Sequence, residues 1–196
     1  MITLLANKIS SFFLQKSLIT DEERETYVFC FEVAISSILS WSSLFLLAFI
    51  TKTFKPFLCY IFWFCLFRTT AGGYHAASHL RCYLLSIFTF IIFLVFQRTT
   101  PITLYPACSC GISFVSVLLL ITLAPVEHPN NPFTEKEHTQ HALTTKLFAV
   151  CYLIMQILVF TLGLTDISFN MSLGCLQAAL SVAIAYYLNR ERRQLS

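Results

Sequence analysis

The residues of this chain best suited to chemistry are a histidine and a cysteine seven positions apart, set among glycines and arginines. They lie in Arg68-Thr-Thr-Ala-Gly-Gly-Tyr-His-Ala-Ala-Ser-His-Leu-Arg-Cys82. On a continuous helix His75 and Cys82 would share a face but stand about 10.5 Å apart along the axis. A thiol–imidazole pair must approach within about 3.2 Å, or through one water. If His75 is to take the proton of Cys82, the chain must bend in the 76–81 region. The thiolate would then attack a carbonyl, with Arg68 or Arg81 favouring the anion. Gly72 and Gly73 permit backbone conformations and close approaches that other residues resist. A second chemistry uses the same residues on a straight helix: His75, His79 and Cys82, at i, i+4 and i+7, would bind zinc. It lacks a carboxylate close in sequence, since no Asp or Glu falls between Glu32 and Glu127. A purely structural loop is the third reading. Residue chemistry alone leaves all three open.

The elements that position this segment follow from composition. Of the 196 residues, 57% are hydrophobic and 12% charged, against about 25% charge in a soluble domain. Stretches 33–51, 56–67, 82–97, 99–126, 147–165 and 167–189 hold no Asp, Glu, Lys or Arg. Crossing the hydrocarbon takes roughly 20 apolar residues. Runs such as Phe114-Val-Ser-Val-Leu-Leu-Leu120 lack the alternation of a β-barrel strand, and in lipid only a helix satisfies their backbone. The expected fold is all-α: a single polytopic membrane domain over 1–196. It has about six membrane segments, at 28–50, 56–67, 83–97, 108–124, 147–163 and 168–188. The 56–67 and 83–97 segments are short enough to require tilt, packing or partial re-entry. Ile2, Leu5, Ile9, Phe12 and Phe13 share a helical face, which predicts an N-terminal interfacial amphipathic helix and not a secretory signal. Thr20 with Glu23, and Thr134 with Glu137, have the spacing of capping boxes.

Orientation follows from the basic residues. With six segments, one face holds Lys8, Lys16, Arg24, Arg68, Arg81, Lys136, Lys146, Arg190, Arg192 and Arg193, and the other Lys52, Lys55 and Arg98. Ten against three puts both termini and the loops 68–82 and 125–146 in the cytoplasm. The net charge of +3 reports this asymmetry and no nucleic-acid patch. Cys30, Cys59, Cys65, Cys151 and Cys175 fall within spans, where cysteine packs as a small apolar residue. Cys108 and Cys110 are too close to bridge without strain. Cys82 is the one left for chemistry.

Arg68, Gly72-Gly73-Tyr74-His75-Ala76, Arg81-Cys82 and Ser86 closely resemble the core motif of the accessory gene regulator B family. Ala124-Pro-Val-Glu-His-Pro-Asn130 resembles that family's second recurring segment, and the likeness covers nearly the whole chain. His79 stands where the family often has proline. The resemblance implies a membrane cysteine endopeptidase of a Gram-positive quorum-sensing system. Cys82 would be the nucleophile and His75 the general base, with Arg68, Gly72, Gly73, Ser86 and Glu127 supporting or binding substrate. An AgrD-like precursor peptide would be cleaved, held as a thioester on Cys82, and released as a lactone or thiolactone when its internal Ser or Cys closes the ring. No cofactor or metal is expected. The partners expected are the precursor, the bilayer of the cell membrane and a second copy in a homodimer, with no nucleic acid. The rival from another class is a small membrane transporter or scaffold whose 68–82 loop is structural or binds zinc. Glu32, near the start of the first span, is close enough to the interface for its carboxylate to reach water.

Overall fold

A computed structural model of the chain describes residues 2–74, 78–127 and 133–195, with side chains as far as 192. The described residues form seven α-helices: α1 (Ile2–Gln15), α2 (Arg24–Ile50), α3 (Phe54–Ala71), α4 (His79–Thr99), α5 (Tyr105–Leu123), α6 (Glu135–Thr161) and α7 (Thr165–Leu195). A 3-10 turn, Ile102–Leu104, leads into α5, and no strand occurs among the described residues. The chain is an all-helical, multi-pass membrane protein, with α2 to α7 at the six expected segments. Five of the helical stretches are long and apolar enough to cross a membrane: Arg24–Ile50, His79–Thr99, Ile102–Leu123, Glu135–Thr161 and Thr165–Arg192. The 83–97 segment is thus longer than its uncharged run, because α4 extends through Arg81 at one end and Arg98 at the other. Long basic side chains at helix ends reach the interface and leave the backbone helical. α3 is the exception. Its 18 residues rise about 27 Å, with Lys55 and Arg68 inside its ends.

The chain divides into two compact units, one of Met1–Lys52 with Ala76–Phe90 and one of Thr53–His75 with Ile91–Ser196. In the first, α1 packs on α2. Ala6 and Ser10 are fully buried, one turn apart, and such small side chains let the two backbones approach. Phe13 meets Phe31 with ring centroids 5.4 Å apart, while Leu4, Leu5 and Phe12 point outward, as an interfacial helix requires. The Thr20–Glu23 box forms: Thr20 N–H donates to Glu23 Oε2 at 2.9 Å and Glu23 N–H to Thr20 Oγ1 at 3.4 Å. The Thr20 backbone bond, then its hydroxyl, holds the Glu23 carboxyl below its usual range. The box closes a turn before α2, whose regular helix begins at Arg24.

In the second unit α7 runs through the middle of a bundle with α3, α5 and α6. Gly174 is the closest approach: a Cβ there would collide with the Tyr60 carbonyl of α3. Trp63 and Phe67 meet Tyr152 edge-on, at 5.0 and 6.0 Å between centroids. Polar side chains join the helices: Tyr152 OH and Ser113 Oγ are 2.6 Å apart, and Gln156 Nε2 donates to Ser168 Oγ at 2.8 Å. Lipid tails are as apolar as leucine, so close packing and hydrogen bonds of this kind hold membrane helices together. The Thr134–Glu137 capping box opens α6 as expected. α6 therefore begins a dozen residues before the apolar 147–163 segment, and its first turns are charged. All eight cysteines are free. Cys175 is buried as expected for a packing residue, whereas Cys30 and Cys151 face outward from their helices.

Candidate functional site

At the C-terminal end of α3, Arg68 occupies the last turn and Gly72 ends the helix with φ of 76°. The chain then runs alongside the segment after α5. Gly72 and Val126 form an isolated parallel bridge, and Val126 N–H donates to the Ala71 carbonyl at 3.0 Å. A Cβ at Gly72 would run into the Val126 carbonyl. Gly73 has φ of 127°, and a Cβ there would lie 2.7 Å from Ser181 Oγ and 3.1 Å from Arg68 Nη1. Both positions demand glycine for conformation and for space.

The next residue is fixed from two sides. Tyr74 N–H donates to the Ser181 carbonyl at 3.0 Å and to Ser181 Oγ at 3.2 Å. Arg68 Nη2 donates to the Tyr74 carbonyl at 2.7 Å. Asn189, two turns beyond Ser181 on α7, donates through Nδ2 to the Glu127 carbonyl at 2.8 Å. Arg68, Gly72, Gly73 and the backbone of Glu127 thus gather at one end of the second unit. Of the two sequence segments singled out separately, the parts at 71–74 and 124–127 lie side by side there. Glu127 accepts the Asn189 bond through its main-chain carbonyl. Ser181 and Asn189 escaped the sequence reading, being two among several polar residues of the last helix.

Cys82 and Ser86 belong to the first unit. Ser78, in a bend, begins α4: its Oγ accepts from Arg81 N–H at 3.3 Å and its carbonyl from Cys82 N–H at 3.0 Å. Cys82 therefore stands in the first turn of α4 with its side chain exposed. Negative charge is favoured in the first turn of a helix, where backbone N–H groups lack partners. Ser86 Oγ donates to the Cys82 carbonyl at 3.0 Å, so it serves the helix backbone directly. Tyr83 OH donates to Ser43 Oγ of α2 at 3.2 Å. His79, the first residue of α4, has its Nε2 3.6 Å from Glu32 Oε2 of α2.

His75 lies outside the described residues, as does the 128–130 part of the second segment. The bend at Ser78 falls within the 76–81 region where paired action of His75 and Cys82 requires one. The zinc reading asked for one continuous helix from His75 to Cys82, and α4 begins at His79. The sequence also suggested that no carboxylate was near; folding brings Glu32 to His79 across 47 positions. Among the described residues no group of three or more His, Cys, Asp or Glu could hold a metal ion.

No curated protein and no solved structure matches the chain. A family model does, that of accessory gene regulator B, over residues 5–186. The match runs through both compact units and takes in the clamped Gly72–Tyr74 segment, the segment beside it and the Cys82 turn. With these segments on a multi-pass helical membrane scaffold, the chain belongs to the accessory gene regulator B family, which takes part in processing quorum-sensing peptides.

Proposed function

We propose that this protein is a membrane cysteine endopeptidase that cleaves a short AgrD-like precursor and closes its N-terminal product into a lactone or thiolactone. The observation that carries the reading is the exposed Cys82 thiol in the first turn of α4, seven residues after His75 in the family's motif. His75 takes the Sγ proton, and the sulfur attacks the carbonyl of the scissile peptide bond. The C–N bond breaks, the proton passes to the leaving amine, and the C-terminal fragment departs. The N-terminal fragment stays on Cys82 as a thioester. An internal Cys or Ser of the precursor then attacks this thioester, the ring closes and Cys82 regains its proton. Splitting one difficult step in this way is the general advantage of a covalent nucleophile.

The fixed backbone from Gly72 to Tyr74 supports the assignment of His75, because it immediately precedes that residue. Arg68 and Gly73 act through the same segment: one bonds its carbonyl and the other makes room for Ser181. The cytoplasmic face suits a precursor made in the cytosol, and the ten-to-three distribution of Lys and Arg supports that orientation of both termini.

A precursor lacking its internal nucleophile tests the covalent step. Cleavage should proceed while ring closure fails, and the protein should gain the mass of the N-terminal fragment on Cys82. Hydroxylamine should remove the adduct, and Cys82→Ala should never form it. Cleaved precursor with no adduct, or an adduct on another cysteine, would overturn the mechanism.

A further inference from the structure

Two residues that the proposed reaction does not use meet beside Cys82. Glu32 lies in the third turn of α2, and the next acidic residue along the chain is Glu127. Its carboxylate is only 17% exposed and lies 3.6 Å from His79 Nε2. An ionisable group in a membrane helix is costly and persists where it has a partner or a function. At 3.6 Å the contact exceeds hydrogen-bond length, so the two groups meet as a carboxylate–imidazole pair and not through a hydrogen bond. His79 is the first residue of α4, and Cys82 follows at i+3, on the same face and about 5–6 Å away between Cβ atoms. A second tie, Tyr83 to Ser43 at 3.2 Å, fastens the next residue of α4 to α2.

We propose that Glu32 is a positioning residue for Cys82: through His79 it holds the first turn of α4 against α2 and sets where the thiol stands for attack. The proposal rests on Cys82 being the nucleophile. Glu32 transfers no proton and touches no substrate; its effect is confined to geometry at the sulfur. Near-attack geometry is sensitive, a displacement of about 1 Å costing on the order of 100-fold in rate. Without the pair, the Ser78 cap and the Tyr83–Ser43 bond still start and hold the helix. The loss therefore appears in the rate of acylation and leaves substrate binding alone.

The full-length protein in membranes, with the precursor lacking its internal nucleophile, gives single-turnover formation of the Cys82 adduct. Glu32→Ala and Glu32→Gln should both slow it about tenfold, with half-saturation by precursor unchanged within about twofold. Glutamine should not rescue, since it removes the charge and keeps the shape. The exchanged pair, Glu32→His with His79→Glu, should recover most of the rate, which also guards against single variants that merely fold poorly. Single variants as fast as the unmutated protein, a loss carried by half-saturation alone, or an exchanged pair as slow as the singles would each overturn the proposal. Absence of any Cys82 adduct in the unmutated protein would instead overturn the reading beneath it.

Discussion

The amide of Tyr74 is bonded to two oxygens of Ser181, the carbonyl at 3.0 Å and the hydroxyl at 3.2 Å, across 107 positions of sequence. The residue immediately before His75 is thereby fixed to the last membrane helix. This attachment sets the need for glycine at position 73, as the Val126 carbonyl does at position 72. The segment can reach α7 only with left-handed backbone at Gly72 and Gly73 and with no side chain between Gly73 and Ser181.

Gly72→Ala and Gly73→Ala should each abolish precursor cleavage while protein remains in the membrane. An L-residue in the left-handed region costs roughly 1–2 kcal/mol, and each Cβ also meets atoms that cannot withdraw cheaply, backbone at Gly72 and a packed serine at Gly73. Ser181→Gly in the Gly73→Ala background should relieve the second clash and recover activity only in part, since the strained φ remains. Gly111→Ala provides the control: nothing lies within 4 Å of its Cβ position, and helical alanine is favoured over glycine by about 0.5–1 kcal/mol. Cleavage by that variant should equal that of the unmutated protein. Membrane-protein level and cleaved precursor, followed together, check all four.

Arg68→Lys should lower cleavage strongly despite keeping the charge. The guanidinium donates to the Tyr74 carbonyl at 2.7 Å while its other terminal nitrogen lies near Gly73, and a lysine ammonium lacks that fork. A charged hydrogen bond is worth about 1.5–3 kcal/mol, or roughly 10- to 100-fold if lost wholly from the reacting state. Ser181→Ala removes only the longer of two neutral bonds and should cost less, about 0.5–1.5 kcal/mol. Single-turnover acylation rates order the two. A Ser181→Ala loss exceeding that of Arg68→Lys would show that α7 and not Arg68 fixes the segment.

What sequence made legible divides along the range of the interactions. Helix number and place followed from uncharged runs, because the need to satisfy backbone in lipid acts locally. The start of α6 was legible from Thr134 and Glu137, three positions apart. The length of α4 was not, since Arg81 and Arg98 ended the uncharged run without ending the helix. At the site, the glycine pair marked an unusual backbone, but what it must fit, Ser181 and the Val126 carbonyl, lies in other helices and loops. The Glu32–His79 contact was hidden for the same reason: Glu32 alone looked like an interfacial charge and His79 like a candidate zinc ligand, 47 positions away.

Orientation has a direct check. Residue 140 lies in the charged opening of α6 and Thr103 in the turn before α5, and both are exposed. With the native thiols replaced, cysteine at Thr103 should react quickly with an impermeant thiol reagent on intact cells. Cysteine at Gln140 should react only after permeabilisation. Both sites lie off the Thr134 cap, whose loss would cost about 1 kcal/mol and confuse the readout. The reverse pattern would put the 68–82 segment on the outer face, away from a cytosolic precursor.

Thiol chemistry and metal chemistry separate on the two histidines. If Cys82 acts as a nucleophile with His75 as its base, alkylation by iodoacetamide should stop cleavage and a strong chelator should leave it intact. His75→Ala should slow acylation by the 10²–10⁴ that general-base catalysis commonly supplies. His79→Ala should be far milder, about tenfold, because it removes only the partner of Glu32 and loosens the first turn of α4. A zinc site built on His75, His79 and Cys82 requires the two histidines equally. It therefore predicts equal losses, sensitivity to chelation and recovery on adding zinc. The ratio of the two single-turnover rates decides between them. A ratio near one with zinc rescue would remove the dyad and, with it, the role drawn for Glu32, since His79 would then be held by the metal and not by the carboxylate.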